Sequence, residues 1–118
     1  MNKWQAIHNF WSGFGIPAYD ENSVPDDAVE PYITYTAQIS DFENPLLLTA
    51  SLWYRSTAWD EISLKADEIS DSLKRIIKLD GGYLFITRGS PFAQRMQEEN
   101  DTVKRIYINL MAEFYTAK

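Results

Sequence analysis

The longest regular pattern in the sequence is an alternation of apolar and polar residues over positions 103–115. The apolar set consists of Ile106, Ile108, Leu110, Ala112 and Phe114. A helix would spread these residues around its circumference, whereas a strand places all of them on one face. The pattern therefore predicts a long strand with one buried face, and it requires a fold that contains a sheet.

Two earlier segments, residues 32–39 and 46–55, alternate in the same way and predict two further strands. Their apolar sets are Ile33, Tyr35, Ala37 and Ile39 in the first, and Leu46, Leu48, Ala50, Leu52 and Tyr54 in the second. The short connection that separates them favours an antiparallel hairpin. Residues 83–88 predict one more strand, which brings the expected total to four.

Two segments have helical spacing. Trp4, Ile7, Trp11 and Phe14 are three, four and three residues apart, which predicts a helix over residues 3–14. The second apolar stripe comprises Ile62, Ala66, Ile69, Leu73 and Ile76, and this helix is expected to end at the glycines Gly81 and Gly82. The predicted order is α-β-β-α-β-β. We expect an α+β fold in a single domain, 1–118, whose mostly antiparallel four-stranded sheet carries two helices on one face.

Composition excludes several functional classes. The chain has no cysteine and one histidine, so it has no disulfide framework, no thiolate metal site and little scope for histidine chemistry. No phosphate-binding loop, dinucleotide fingerprint or hydrolase motif occurs. No apolar leader or membrane-length apolar segment occurs either. We expect no enzyme activity, no cofactor, no metal, no membrane contact, and folding in a cytoplasm.

Charge is distributed unevenly along the chain. The formal net charge is −6, and residues 1–59 hold two basic and seven acidic residues, a net −5. Phosphate backbones are bound by clustered Lys and Arg, so this balance argues against a nucleic-acid-binding surface. The acidic excess lies in predicted loops, at Asp26, Asp27, Glu30, Asp41 and Glu43, together with Asp20 and Glu21.

Aromatic residues on the polar face of the predicted sheet indicate a contact surface. Trp53 alternates onto that face beside Arg55, where it lies either under a loop or at a subunit contact. Residues 89–102 are predicted to form a long loop, and long loops in compact domains are often functional. Its candidate contact residues, with the preceding arginine, are Arg88, Phe92, Gln94, Arg95 and Met96. A solvated surface loop and a hydrated tyrosine-rich face are the simpler interpretations.

Six strings of residues resemble one protein family. They are Val24-Pro25-Asp26-Asp27-Ala28, Pro31-Tyr32-Ile33-Thr34-Tyr35, Ser51-Leu52-Trp53-Tyr54-Arg55-Ser56-Thr57, Lys65-Ala66-Asp67-Glu68-Ile69-Ser70, Ile86-Thr87-Arg88-Gly89-Ser90-Pro91-Phe92-Ala93-Gln94-Arg95-Met96 and Arg105-Ile106-Tyr107-Ile108-Asn109-Leu110. The chain resembles small minor capsid or tail proteins of Gram-positive phages and prophages. It is similar to the tail terminators, also called tail-completion proteins, of long-tailed phages.

The resemblance implies a structural role in the neck region of a virion. The subunit would form a homo-oligomeric ring, a hexamer, on the head-proximal end of the tail tube after folding in the host cytoplasm. The ring would stop tube polymerisation, bind the major tail tube protein and present the surface that joins the head-completion protein. DNA would pass through it without specific binding, and we expect Asp26, Asp27 and Glu30, or Asp41 and Glu43, to face the channel.

Three other functions remain open at the level of sequence. A head-completion or connector protein would form a ring that docks elsewhere in the neck. A cytoplasmic regulatory or ligand-binding α+β domain would have a small-molecule pocket. An enzyme would have to rely on His8 and the pair Asp26 and Asp27, which have no evident partner in the sequence.

Overall fold

The computed structural model describes residues 1–38 and 46–116, which form two helices and six strands. In chain order these are α1 (Lys3–Ser12), β1 (Ala18–Asp20), β2 (Tyr32–Gln38), β3 (Leu46–Arg55), α2 (Asp60–Asp71), β4 (Arg75–Leu79), β5 (Gly82–Met96) and β6 (Val103–Thr116). Helix α1 begins at a capping box, in which Asn2 and Gln5 bond reciprocally to each other's backbone N–H.

All six strands belong to one sheet in the order β1-β2-β3-β6-β5-β4. Strand β1 runs parallel to β2, whereas the remaining neighbours are antiparallel. The hairpin predicted between β2 and β3 is present, with Ile33 opposite Leu52. The expected four-stranded, mostly antiparallel sheet is wrong, since the sheet is mixed and has an additional strand at each edge.

The sequence did not predict strand β4, because Leu73 and Ile76 continue the helical spacing of the apolar residues in α2. The helix ends at Asp71, and the Ser72 hydroxyl donates to the Ile69 carbonyl at 2.7 Å. Lys74 then adopts the left-handed region with φ of 63°, which turns the chain back toward the sheet. Ile76, assigned to the helix stripe by its spacing, instead lies on β4 and is 65% exposed.

Strand β5 occupies much of the segment predicted as a loop. It continues to Met96, so that only residues 97–102 connect it to β6. The register shifts between Arg88 and Ala93, which marks an irregularity of the β-bulge type. A Cβ added to Gly89 would lie 2.9 Å from Asn109, so only glycine fits this close approach of the two strands. The prediction of a long loop over residues 89–102 is therefore wrong.

Both helices pack against the same side of the sheet. Their buried residues are Ala6, Ile7, Phe10 and Trp11 in α1 and Ile62, Ala66 and Ile69 in α2. The inward residues of β3 and β6, among them Leu48, Leu52 and Ile108, complete the core. The other side of the sheet, called here the open face, is covered by neither helix. With 10 and 12 residues, the two helices of the described ranges are too short to cross a membrane.

Candidate interaction surface

A row of four side chains crosses the open face. Tyr32 on β2 is opposite Trp53 on β3, Trp53 is opposite Arg105 on β6, and Arg105 is opposite Met96 on β5. Side chains directly opposite each other in a sheet point to the same face. The structure therefore brings together two predicted contact residues, Trp53 and Met96, from segments that are distant in the sequence.

Trp53 is the best-connected member of this row. Its indole Nε1 donates to the Thr34 hydroxyl at 2.9 Å, and the Arg105 guanidinium lies 4.7 Å from the ring centre. The Arg105 Nε donates to the Ser51 hydroxyl at 3.0 Å, while its Nη1 lies 3.6 Å from a Glu98 oxygen. These contacts hold the Trp53 ring in place against the sheet, where it lines one side of a groove.

A shallow groove of about 550 Å³ lies beside Trp53 on the open face. Its lining includes the hydroxyl groups of Thr34, Thr36, Thr49 and Ser51 together with Tyr32, Tyr107 and Glu21. Burial, and then the nearby Glu30 carboxylate, raise the pKa of Tyr32 above its ordinary value. The groove is rich in hydroxyl and aromatic groups, a composition suited to a protein contact that includes bridging water.

The opposite end of the open face carries an apolar patch, defined as Leu47, Tyr83, Met111 and Tyr115. Leu47 is opposite Met111 and Tyr83 is opposite Tyr115. The two tyrosine rings stack with centres 5.1 Å apart. All four side chains are between 37% and 42% exposed. Glu113 lies between these two pairs on the same face of β6 and accepts a hydrogen bond from the Tyr115 hydroxyl. The patch is therefore a mixed surface of half-exposed apolar pairs around a carboxylate, as occurs in protein contacts.

Two of the predicted arginine residues, Arg88 and Arg95, lie elsewhere, beside α2. Arg88 donates to the Ser70 carbonyl at 3.5 Å and lies 6.0 Å from the Phe92 ring centre. Arg95 lies 4.9 Å from the ring centre of Trp59, the residue immediately before α2. Because pairing alternates sides along β5, Gln94 shares the open face with Met96 while Arg95 faces the helix side. The predicted contact residues thus divide between the two sides of the sheet.

The predicted acidic residues also have different environments. Glu30 has a largely buried side chain that forms an ion pair with Arg55 at 3.1 Å, and Arg55 also donates to Thr102 at 3.3 Å. Asp26 and Asp27 are exposed in a turn before β2. The other two predicted residues, Asp41 and Glu43, lie outside the described residues.

His8, considered above as an acid or base, is part of a hydrogen-bonded group. Its Nδ1 lies 2.7 Å from the Tyr35 hydroxyl and its Nε2 lies 3.3 Å from the Ser12 hydroxyl. Burial, and then the Asp20 carboxylate, raise the pKa of Tyr35. Among the described residues, no group of three His, Asp or Glu side chains could hold a metal ion.

The sequence did not single out three residues that shape this surface: Leu47, Arg105 and Met111. Alternation placed Arg105 and Met111 on the polar side of β6, but their importance depends on which residues of β3 and β5 lie opposite them. That register is a property of the folded sheet. Leu47 and Met111 could have been found from the sequence, because both are large apolar side chains at outward positions of predicted strands.

Comparison with solved structures identifies a related fold. No family model matches the chain, and a search of curated proteins finds no match. A chain of a solved structure described as "Virion of native gene transfer agent (GTA) particle" is similar, with a TM-score of 0.56 and 16% identity. The similarity covers 88% of this chain and 83% of that chain. At this identity the likeness shows a shared fold over nearly the full length of both chains.

Proposed function

We propose that this protein is a structural component of a phage-like virion, which acts by binding and not by catalysis. The observation that carries this proposal is the shared fold with a chain of the gene transfer agent virion, which extends over 88% of this protein. A likeness of that extent involves the whole domain and is not limited to a common helix–sheet motif. The resemblance of the six sequence strings points, independently, to the same class of particle.

Within the virion, the protein forms a ring on the head-proximal end of the tail tube. The ring stops tube polymerisation, and its other side receives the head-completion protein. A subunit with this role needs several separate contact surfaces, because it binds two ring neighbours, the tube and the head. The open face supports this role, since it combines a preformed groove beside Trp53 with the apolar patch about Leu47 and Met111.

The dimensions of the subunit are compatible with a six-membered ring. Its extents are 51 × 28 × 24 Å, and the long axis corresponds to the length of β5 and β6. Six units spaced by their shorter width leave a bore on the order of 20–30 Å across, by the geometry of closed rings. Asp26 and Asp27 line this bore and repel the phosphates of the DNA that passes through.

Gene deletion with complementation tests this function. Without the gene, we expect tails of abnormal length and heads without joined tails in electron micrographs, and the wild-type gene should restore normal particles. Arg95→Glu should leave the protein folded but fail to restore particles, because this exposed guanidinium beside the Trp59 ring is a proposed contact with a neighbouring virion protein on the helix side of the sheet. Arg95→Lys is the matched control that retains the charge. Normal particles without the gene would contradict the proposal.

A head-completion protein is the second candidate, because the similar chain comes from a structure described only as a virion particle, so the fold likeness applies to both roles. The two roles differ in what the ring binds. A terminator remains with isolated tails when heads are absent, whereas a head-completion protein remains with DNA-filled heads when tails are absent. Immunoblots of the two isolated fractions distinguish them.

A further inference from the structure

One edge of the sheet carries three basic residues, which are flanked in the sequence by Asp71 and Asp80. Among the described residues, strand β4 pairs only with β5. Lys74 directly precedes this strand, and Arg75 and Lys78 belong to it. These three residues are called the basic edge. Among the described residues, no carboxylate lies within ion-pair distance of them. Asp80, which follows the strand, forms an ion pair with the amino group of Met1 at 2.9 Å.

The opposite edge is acidic. Strand β1 ends at Asp20, and Glu21 follows it directly; both are exposed and are called the acidic corner. Neither carboxylate forms an ion pair within the described ranges. The Asp20 side chain accepts only from the Asn22 backbone N–H, at 2.9 Å. Basic and acidic side chains that form no ion pair among the described residues thus lie at opposite edges of one sheet.

The position of these edges determines which contact they could make. Helix α1 contacts both edge strands, β1 and β4, and so lies between the two edges on one side of the sheet. The two edges of one copy cannot meet each other, but the basic edge of one copy can meet the acidic corner of the next. Such a head-to-tail contact is heterologous, and it closes into a ring when the rotation between copies is suitable.

We propose that the basic edge of each subunit binds the acidic corner of its neighbour, and that this contact closes the ring. The inference rests on the proposed function, and it identifies the ring-forming surface within it. Ile76 adds an apolar group to the contact, since it lies on β4 between the charged positions and is 65% exposed. The partner that binds at each edge is a second copy of this chain.

Edge lysines have another common role, which is to prevent unwanted strand pairing between molecules. That role and the proposed contact make opposite predictions. If the lysines only prevent aggregation, reversing their charge leaves assembly unchanged. If they bind the acidic corner, reversal abolishes assembly, and a second reversal on the acidic side restores it.

A charge-swap experiment separates these outcomes. One variant carries Lys74→Glu and Lys78→Glu, and a second carries Asp20→Lys and Glu21→Lys, while Arg75 is retained because it lies 5.8 Å from the Phe10 ring centre. Assembly is measured as particle mass in solution and as incorporation into virions by complementation. We expect each variant alone to lose assembly at least tenfold. An equal mixture of the two variants, and a chain with all four substitutions, should both assemble.

The control variant, Asp67→Lys with Glu99→Lys, makes the same charge change as the Asp20→Lys and Glu21→Lys variant, at exposed positions away from both edges. Circular dichroism verifies the fold of every variant. As a second measurement, a carbodiimide should join Lys74 or Lys78 of one copy to Asp20 or Glu21 of another in a mixture of ¹⁴N- and ¹⁵N-labelled wild-type protein. If both charge-swap variants assemble as well as the wild-type protein, this inference is overturned and the proposed function is not. A wild-type protein that assembles neither in solution nor on virions overturns the proposed function as well.

Discussion

The guanidinium of Arg105 lies 4.7 Å from the centre of the Trp53 ring, directly across the β3–β6 pair. This contact joins the two central strands of the sheet on the face that neither helix covers. It explains how a tryptophan at an outward-facing position remains ordered, because the ring is held by a cation on one side and by Thr34 at its Nε1. It also fixes one wall of the groove on the open face.

The Arg105–Trp53 contact should be energetically coupled. A cation close to an indole ring contributes about 0.5–2 kcal/mol. In a double-mutant cycle of Trp53→Leu and Arg105→Met, measured by urea denaturation, we expect a coupling free energy in that range, because leucine has no ring to bind the cation. A cycle between Trp53→Leu and Arg88→Met is the control, since Arg88 lies beside α2 and should not couple. Additive effects in the Trp53–Arg105 cycle would contradict the contact.

Gly89 should be sensitive to the smallest substitution. A Cβ at this position would lie 2.9 Å from the backbone oxygen of Asn109, which cannot move aside without disturbing β6. We expect Gly89→Ala to lower the free energy of unfolding by about 1–3 kcal/mol, as is typical of overpacking. Gly13→Ala is the matched control, because its Cβ would lie no closer than 3.4 Å to other atoms. Equal stability of the two variants would show that the strands are farther apart.

Stability should decline in strongly alkaline solution. Burial, and then the nearby Glu61 carboxylate, raise the pKa of Tyr54 above its ordinary value of 10.0. Below about pH 10 the hydroxyl is neutral in both states, whereas at higher pH the unfolded chain loses this proton first and is favoured. We expect the free energy of unfolding to fall from pH 9 to 11, and to fall less in Tyr54→Phe. An identical decline in both proteins would rule out this cause.

The apolar patch should matter for assembly more than for folding. Leu47 and Met111 are 42% and 38% exposed, so more than half of each side chain is covered and replacing both with Ser lowers the stability of the isolated chain. We expect the double variant to remain folded, with a lower thermal midpoint, but to lose incorporation into virions. Leu64→Ser is the control, since Leu64 is 68% exposed on α2 and lies outside the patch. Full incorporation of the Leu47 and Met111 variant into virions would show that the apolar patch is not part of the assembly surface.

Alternation predicted the central strands because each of them buries one face and exposes the other. Strands β2, β3 and β6 therefore appear in the sequence at nearly their observed bounds. The sheet edges do not follow this rule: β4 has an exposed isoleucine, Ile76, at a position where helical spacing also fits. Its pairing with β5 depends on the turn at Lys74, whose left-handed conformation is not encoded by a glycine.

The second half of β5 was unpredictable for a related reason. Gly89 and Pro91 are local strand breakers, yet the strand continues because Asn109 on β6 accommodates both. Its side chain donates to the Pro91 carbonyl at 3.1 Å, across a contact that local sequence cannot reveal. The open face was also only partly predictable from local sequence. The outward position of Trp53 was recognisable, whereas the position of Arg105 opposite it depends on the register between β3 and β6.

A cryo-electron microscopy reconstruction of the neck of particles made by cells that carry this gene tests the central claim most directly. The account predicts a single ring of this chain between the last tube ring and the head, with the basic edge of each copy against the acidic corner of the next. A particle whose neck density excludes this chain, or that contains it as an isolated monomer, would contradict the account.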